Sequence, residues 1–203
     1  GGIPHLMKNL GNPPIYTAAL TAGIIRKRQE EFTKSPQPNI VLIKPKMKIA
    51  LGRHFVFEPF HLNHTIQDSC GVALTTPYGL MLHTGDFKFD YTPVNEEPVD
   101  LEYIKSFGNR GVLALFSDST NVERPGYTPS ERAVRGPLDA IFARADQCIF
   151  ASCFSSSIHR IQLLVDLAAQ YKRQIAFVGR SITNTTEIAH RLAPAIPVTL
   201  SSD

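Results

Sequence analysis

The sequence predicts an α/β chain in two parts, and three observations carry that expectation. Beyond Pro125 and Gly126, helical and strand-like runs alternate, which is the signature of βαβ units on a parallel sheet. Ahead of that point lie short β-rich runs punctuated by Pro, Lys and Gly, including one hairpin. Hydrophobic residues make up 43% and charged residues 19% of 203 residues, an ordinary globular balance that argues against disorder. A boundary is expected near Ser130, giving a first domain over 1–129 and a second over 130–203.

Pro13 and Pro14 introduce a short run from Ile15 to Thr17, and LTAGIIRKRQEEF then has helical periodicity with Thr21 as a cap. Arg26, Lys27 and Arg28 form that helix's wet face. NIVLI, KIAL and HFVFEPFHL read as strands. Gly71 to Thr75 and Leu80 to His83 flank Thr76-Pro-Tyr-Gly79, whose Pro and Gly suit a tight turn, so they form a hairpin. A polar connection containing Pro93 and Pro98 leads to the apolar run ending at Phe116, with Ser117-Asp-Ser-Thr-Asn121 directly after it. In the second part, SERAVRGPLDAIFARA is helical, QCIFASCF is strand, SIHRIQLLVDLAAQY is helical, QIAFVG is strand and TNTTEIAHRLA is helical. Two strands are fewer than the roughly five of a finished doubly wound sheet. The chain also opens on GGIPHLMKNL, with neither an initiator Met nor a leader, and by Pro4 it reads like the inside of a domain. A chain cut at both ends is the expectation.

Several function classes recede on composition. No run reaches the roughly 18 apolar residues of a membrane helix, so no membrane partner is expected. A formal charge of +3 permits a polyanionic partner without indicating one. Cys70, Cys148 and Cys153 are odd in number and without CxxC spacing, which predicts reduced thiols in a cytoplasmic protein.

The candidate chemistry begins at His64 and Asp86. His64 ends a strand run and Asp86 lies just beyond the strand closing the next hairpin, so a ligand entering one strand and a ligand leaving its partner can converge on one ion. Gly85 lets the backbone approach closely, and a carboxylate at Asp86 can bridge two metals. His61 points to the side opposite His64 on a strand and is expected in a solvent or loop role. His83 is expected to pack or to support a ligand from behind rather than to bind metal itself. Lys88 and Asp90 either line the cleft or form a surface salt bridge. Ser155, Ser156 and Ser157 precede a helix holding His159 and Arg160. That segment can hold phosphate through unpaired N–H groups, hydroxyls and a guanidinium, or it can simply cap the helix. Gly179-Arg-Ser181 poses the same alternative.

Four segments in order, NHTIQDSCGVAL, LMLHTGDFKFD, LFSDSTNVERPGYTPSE and FASCFSSSIHRIQ, resemble the bacterial RNase J family, metallo-β-lactamase-fold nucleases with an inserted β-CASP domain. The resemblance implies part of a metallo-β-lactamase αββα sandwich over 1–129 and the start of a Rossmann-like β-CASP domain over 130–203. In that family a His-x-His-x-Asp-His motif lies immediately before a Gly-Gly-Ile-Pro segment like Gly1-Gly-Ile-Pro4, so the other half of the site is expected just upstream. His64 resembles the third metal motif and Asp86 the fourth, the bridging carboxylate. Asp118 resembles the acidic residue opening the β-CASP motifs, which orients a histidine that would fall beyond Asp203.

The implied activity is hydrolysis of RNA phosphodiesters, as a 5′ exonuclease or an endonuclease, with two divalent metals, zinc or manganese. Asp86 and Asp118 would be its catalytic residues in this chain. The implied partner is single-stranded RNA with a 5′ monophosphate, and the resemblance allows a homo-oligomer. Two alternatives stand beside this: a DNA or small-molecule hydrolase on the same metal fold, and a non-catalytic RNA-binding or assembly piece. The βαβ run after Pro125 argues against a small substrate, which has no use for a second wall. Produced alone, the chain is expected to be inactive.

Overall fold

The computed structural model describes residues 2–7, 9–32, 35–94 and 97–192. A short helix α1 (Ile3–Met7) leads to strand β1 (Ile15–Thr17), helix α2 (Ala19–Gln29) and strand β2 (Ile40–Leu42), which pairs parallel with β1. Next come strands β3 (Ile49–Leu51), β4 (Phe55–His61), β5 (Cys70–Thr76) and β6 (Gly79–His83), then helix α3 (Leu101–Asn109) and strand β7 (Val112–Phe116). These last five strands make one sheet in the order β3-β4-β5-β6-β7, antiparallel except for β6 and β7, which run parallel. A 3-10 turn (Glu131–Val134) opens the second part, with helices α4 (Arg135–Arg144), α5 (Ile158–Gln170) and α6 (Arg180–Leu192).

The hairpin forms where the turn residues place it. Thr76 Oγ1 donates to the Gly79 carbonyl at 2.9 Å and accepts from the Tyr78 amide, closing the two-residue loop. α2 begins ahead of the point that Thr21 suggests, with Ala18 as its N-cap and no side-chain hydrogen bond there. The connection after β6 is less polar than expected because it contains α3. Asp100 caps that helix by accepting from the Tyr103 amide at 2.9 Å. α3 lays Phe107 against Phe60, Leu62, Ala73, Leu80 and Leu82, which form the buried core under the sheet.

Glu58, a carboxylate buried in β4, is matched by the Arg110 guanidinium at 2.8 Å and by Lys48 at 3.6 Å. Such a charge is tolerated inside only when it is paired.

Two expected strands are corrected. The runs 147–154 and 174–179 carry no strand in the structure, although each lies where a βαβ strand is expected, before α5 and before α6. A parallel strand exists only where a neighbour supplies the other half of its ladder. Among the described residues these runs have no such pairing, and Phe150, Phe154 and Val178 stand exposed. The helices beside them are as expected, so the second part is mixed α/β in composition and helical in its regular elements. Its expected final residues, 193–203, lie outside the described residues.

A second buried cluster joins the two parts. Leu20 of α2 packs with Ile158 of α5 and with Ile188 and Ala189 of α6, and Ile24 and Ile66 close over them. Gly23 permits this approach, because a Cβ there would lie 2.5 Å from Ile188 Cγ2. No helix among the described residues is long and apolar enough to cross a membrane.

Candidate functional site

Sheet direction brings three loops to one edge. β4 and β6 both run antiparallel to β5, and β7 runs parallel to β6, so the C-terminal ends of β4, β6 and β7 face the same way. The residues leaving those ends are 62–69, 84–90 and 117–121, which carry His64, Asp86 and Asp118.

The first two loops are stitched by backbone. An isolated antiparallel bridge pairs Asn63 with Lys88, and the Lys88 amide donates to the Asn63 carbonyl at 2.8 Å. His64 is therefore held one residue from a point fixed against the Asp86 loop. Asn63 is almost fully buried, and His64 is half-buried with its Nδ1 at 3.4 Å from Thr65 Oγ1. Asp86 is exposed and comes directly after Gly85, whose φ of 63° lets the chain turn sharply. The Gly85 amide donates to His83 Nδ1 at 2.9 Å, and the exposed His83 ring stacks on Phe116.

The third loop is tied to the second. The Asp118 amide donates to Thr84 Oγ1 at 3.0 Å. Asp118 Oδ1 accepts from the Thr120 hydroxyl at 2.6 Å and from the Thr120 amide at 2.9 Å. These bonds, with the Phe87 amide and the nearby His64, hold its carboxyl below the usual carboxylate range against a small opposing effect of burial. The loops that carry His64, Asp86 and Asp118 are thus tied together at one sheet edge.

Metal fit is partial. Among the described residues no group of three or more His, Cys, Asp or Glu side chains is placed to hold a metal ion. A zinc site takes three or four protein ligands, so His64 and Asp86 do not by themselves fit one.

The segment before α5 does not cap the helix through a side chain. Ser157 is the N-cap residue but makes no side-chain cap hydrogen bond, and it is buried. Ser155 and Ser156 are half-buried. His159 is buried with Nδ1 at 3.3 Å from Gln67 Nε2, and Arg160 gives its Nη2 to Glu131 at 2.6 Å. His61 Nε2 lies 2.9 Å from the Glu97 carbonyl, in the loop role expected of it.

Residues 146–196 match the family described as Ribonuclease J, beta-CASP domain. Ribonuclease J of Thermus thermophilus is 41% identical over 197 residues, covering 95% of this chain and 34% of that protein. Ribonuclease J of a Synechocystis species is 39% identical over 192 residues, covering 95% of this chain and 30% of that protein. The chain is Ribonuclease J-like. Ribonuclease J2 of Bacillus subtilis is also similar, at 39% over 193 residues, covering 95% of this chain and 34% of that protein. The Ribonuclease J-like chain spans about a third of the length of these curated relatives. A crystal structure of a protein of unknown function from Enterococcus faecalis V583 shares the fold, with a TM-score of 0.63 at 13% identity over 89% of this chain and 44% of that one.

Sequence reasoning missed the ion network of the Ribonuclease J-like chain beside this edge. Lys88 Nζ lies 3.2 Å from Glu131 and 3.4 Å from Asp90, and both Lys88 and Asp90 are largely buried. The pair is bridged, as one of its two expected roles requires, but away from the surface. Burial pushes the Asp90 carboxyl up, but hydrogen bonds from Ser130 and from the Thr92 and Glu131 amides, with the Lys88 charge, outweigh it and hold the carboxyl low. Glu131 behaves alike: burial raises it, and Arg160 and Lys88 lower it further.

Proposed function

We propose that the whole protein is a metal-dependent ribonuclease that hydrolyses RNA phosphodiesters. The observation that supports this most is the meeting of His64, Asp86 and Asp118 at one sheet edge in a chain similar to Ribonuclease J over nearly its whole length. His64 and Asp86 would contribute protein ligands to two divalent metals, zinc or manganese, and further ligands would come from outside this chain. When bound, such metals supply an acidified water for in-line attack on phosphorus and offset charge on the phosphate oxygens. Asp118 would act by orienting a histidine supplied from outside this chain, with its own carboxylate steadied by Thr120. The substrate would be single-stranded RNA with a 5′ monophosphate, entering between a metallo-β-lactamase-like part over 1–129 and a β-CASP part over 130–203. The setting would be the cytoplasm.

The test is turnover of labelled 5′-monophosphate RNA by the whole protein with Mn²⁺ or Zn²⁺. Chelator-sensitive cleavage is the expected result, and cleavage that survives complete metal removal would overturn it. The 203-residue chain alone should leave the RNA intact, since it offers two direct ligands where three or four are usual.

A further inference from the structure

Of the first three residues of α5, Ile158 and His159 meet the first part of the chain directly, and Arg160 meets it through Glu131. Ile158 is buried in the cluster that Ile66 closes. His159 Nδ1 is at 3.3 Å from Gln67 Nε2. Arg160 Nη2 is at 2.6 Å from Glu131 Oε2, whose other oxygen lies 3.2 Å from Lys88 Nζ. Successive helical residues point about 100° apart, so a turn engaged at three consecutive positions is embedded rather than laid on a surface.

Ile66 and Gln67 belong to the loop of His64, and Lys88 belongs to the loop of Asp86. We propose that the first turn of α5 is the positioning device for both loops of the site. Ile158 and His159 would hold 62–69, and Arg160, acting through Glu131, would hold 84–90. The meaning of this for catalysis rests on the ribonuclease reading, whereas the mechanical coupling does not.

The arrangement of charge supports positioning over phosphate binding. Arg160 and Lys88 share one carboxylate, Glu131, and Lys88 is also paired with Asp90, so two cations meet two anions. The Lys88 and Glu131 side chains are 15% and 19% exposed, which keeps water from screening the pairing. The Arg160 Nη2 donor is committed to Glu131, so a phosphate at that corner of the guanidinium would compete with this carboxylate. Lys88 is also the residue whose amide closes the bridge to Asn63, so its side-chain anchor and its backbone anchor act on the same point of the loop.

The experiment uses the whole protein and the variants Glu131→Gln, Arg160→Met and Gln67→Leu. Backbone hydrogen exchange should rise by about tenfold over 84–90 in Glu131→Gln and Arg160→Met, and over 62–69 in Gln67→Leu, with 70–76 unchanged. RNA turnover should fall in kcat while KM holds, and Arg160→Lys should recover part of it. The salt dependence of RNA affinity in Arg160→Met should match the parent. Unaltered exchange in both loops of folded variants would overturn the proposal. So would a salt slope flattened by about 0.7 in Arg160→Met, the mark of one lost phosphate contact on a single strand. If Glu131→Gln does not fold, the other two variants are read by the same criteria. A protein that cleaves no RNA still answers the exchange question, so the two readings fail separately.

Discussion

Asp86 and Asp118 lie on loops tied together by the Asp118 amide and Thr84, and their carboxylates differ in surroundings. Asp86 is exposed, whereas the Asp118 carboxylate accepts from the Thr120 hydroxyl and amide. In the whole protein, Asp86→Ala should therefore remove bound metal and activity together. Asp118→Ala should keep most of the metal and lose about 10- to 100-fold in activity, the usual effect of removing a group that orients a ligand. Metal analysis of the two purified variants separates them, and a full metal complement in Asp86→Ala would end its assignment as a ligand. The nearness of His64 and Asp86 was legible in the sequence because a hairpin is a local structure. With the turn at Thr76–Gly79, the residues entering the first strand lie beside those leaving the second. Glu131 was illegible, since its partners Lys88 and Arg160 are 43 and 29 residues away and no local pattern joins them.

At the level of elements, β4 and β5 meet through an aromatic ring laid over a glycine. Phe60 and Gly71 are register partners, and a Cβ at Gly71 would fall 2.3 Å from the Phe60 ring. The ring is buried and in tilted contact with Phe107 of α3, at 5.4 Å between centroids. Gly71→Ala should push Phe60 into α3 and cost about 1–3 kcal/mol, the usual range for overpacking. A thermal melt measures it, and an unchanged Tm would mean that the ring has room to move. The strands β3 to β6 could be read ahead because each has an antiparallel partner close in sequence. α3 could have been read too: Asp100 is a capping residue, and Leu101, Ile104 and Phe107 keep one face, but the prolines on its N-terminal side disguised it. The runs at 147–154 and 174–179 have strand composition, and composition alone does not make a ladder.

For the molecule as a whole, the coupling between its two parts should fail in acid. Asp90 and Glu131 are both held below their ordinary values of 3.8 and 4.5. A carboxyl depressed on folding contributes stability that is full above its unfolded value and is lost as pH falls through its folded value. Stability should thus be level with respect to these two groups above about pH 5 and decline below about pH 4, with the 84–90 loop loosening in the same range. In Glu131→Gln the decline should be shallower, because that group no longer takes up a proton. Denaturant melts at several pH values check this, and a parallel decline in parent and variant would remove Glu131 from the account.

Among the described residues β7 ends the five-stranded sheet, and Leu113 and Leu115 are each 60% exposed with Phe116 at 50%. A border strand of this kind presents an unfilled row of amides and carbonyls beside bare leucine, with no lysine, proline or acidic residue inside it to turn another strand away. Such a strand is a template for aggregation. The 203-residue chain should self-associate as its concentration rises, and Leu115→Lys should suppress this without disturbing the Phe60–Phe107 core, as light scattering alongside a melt would record. The bare leucines of β7 therefore bear on solubility as much as on stability.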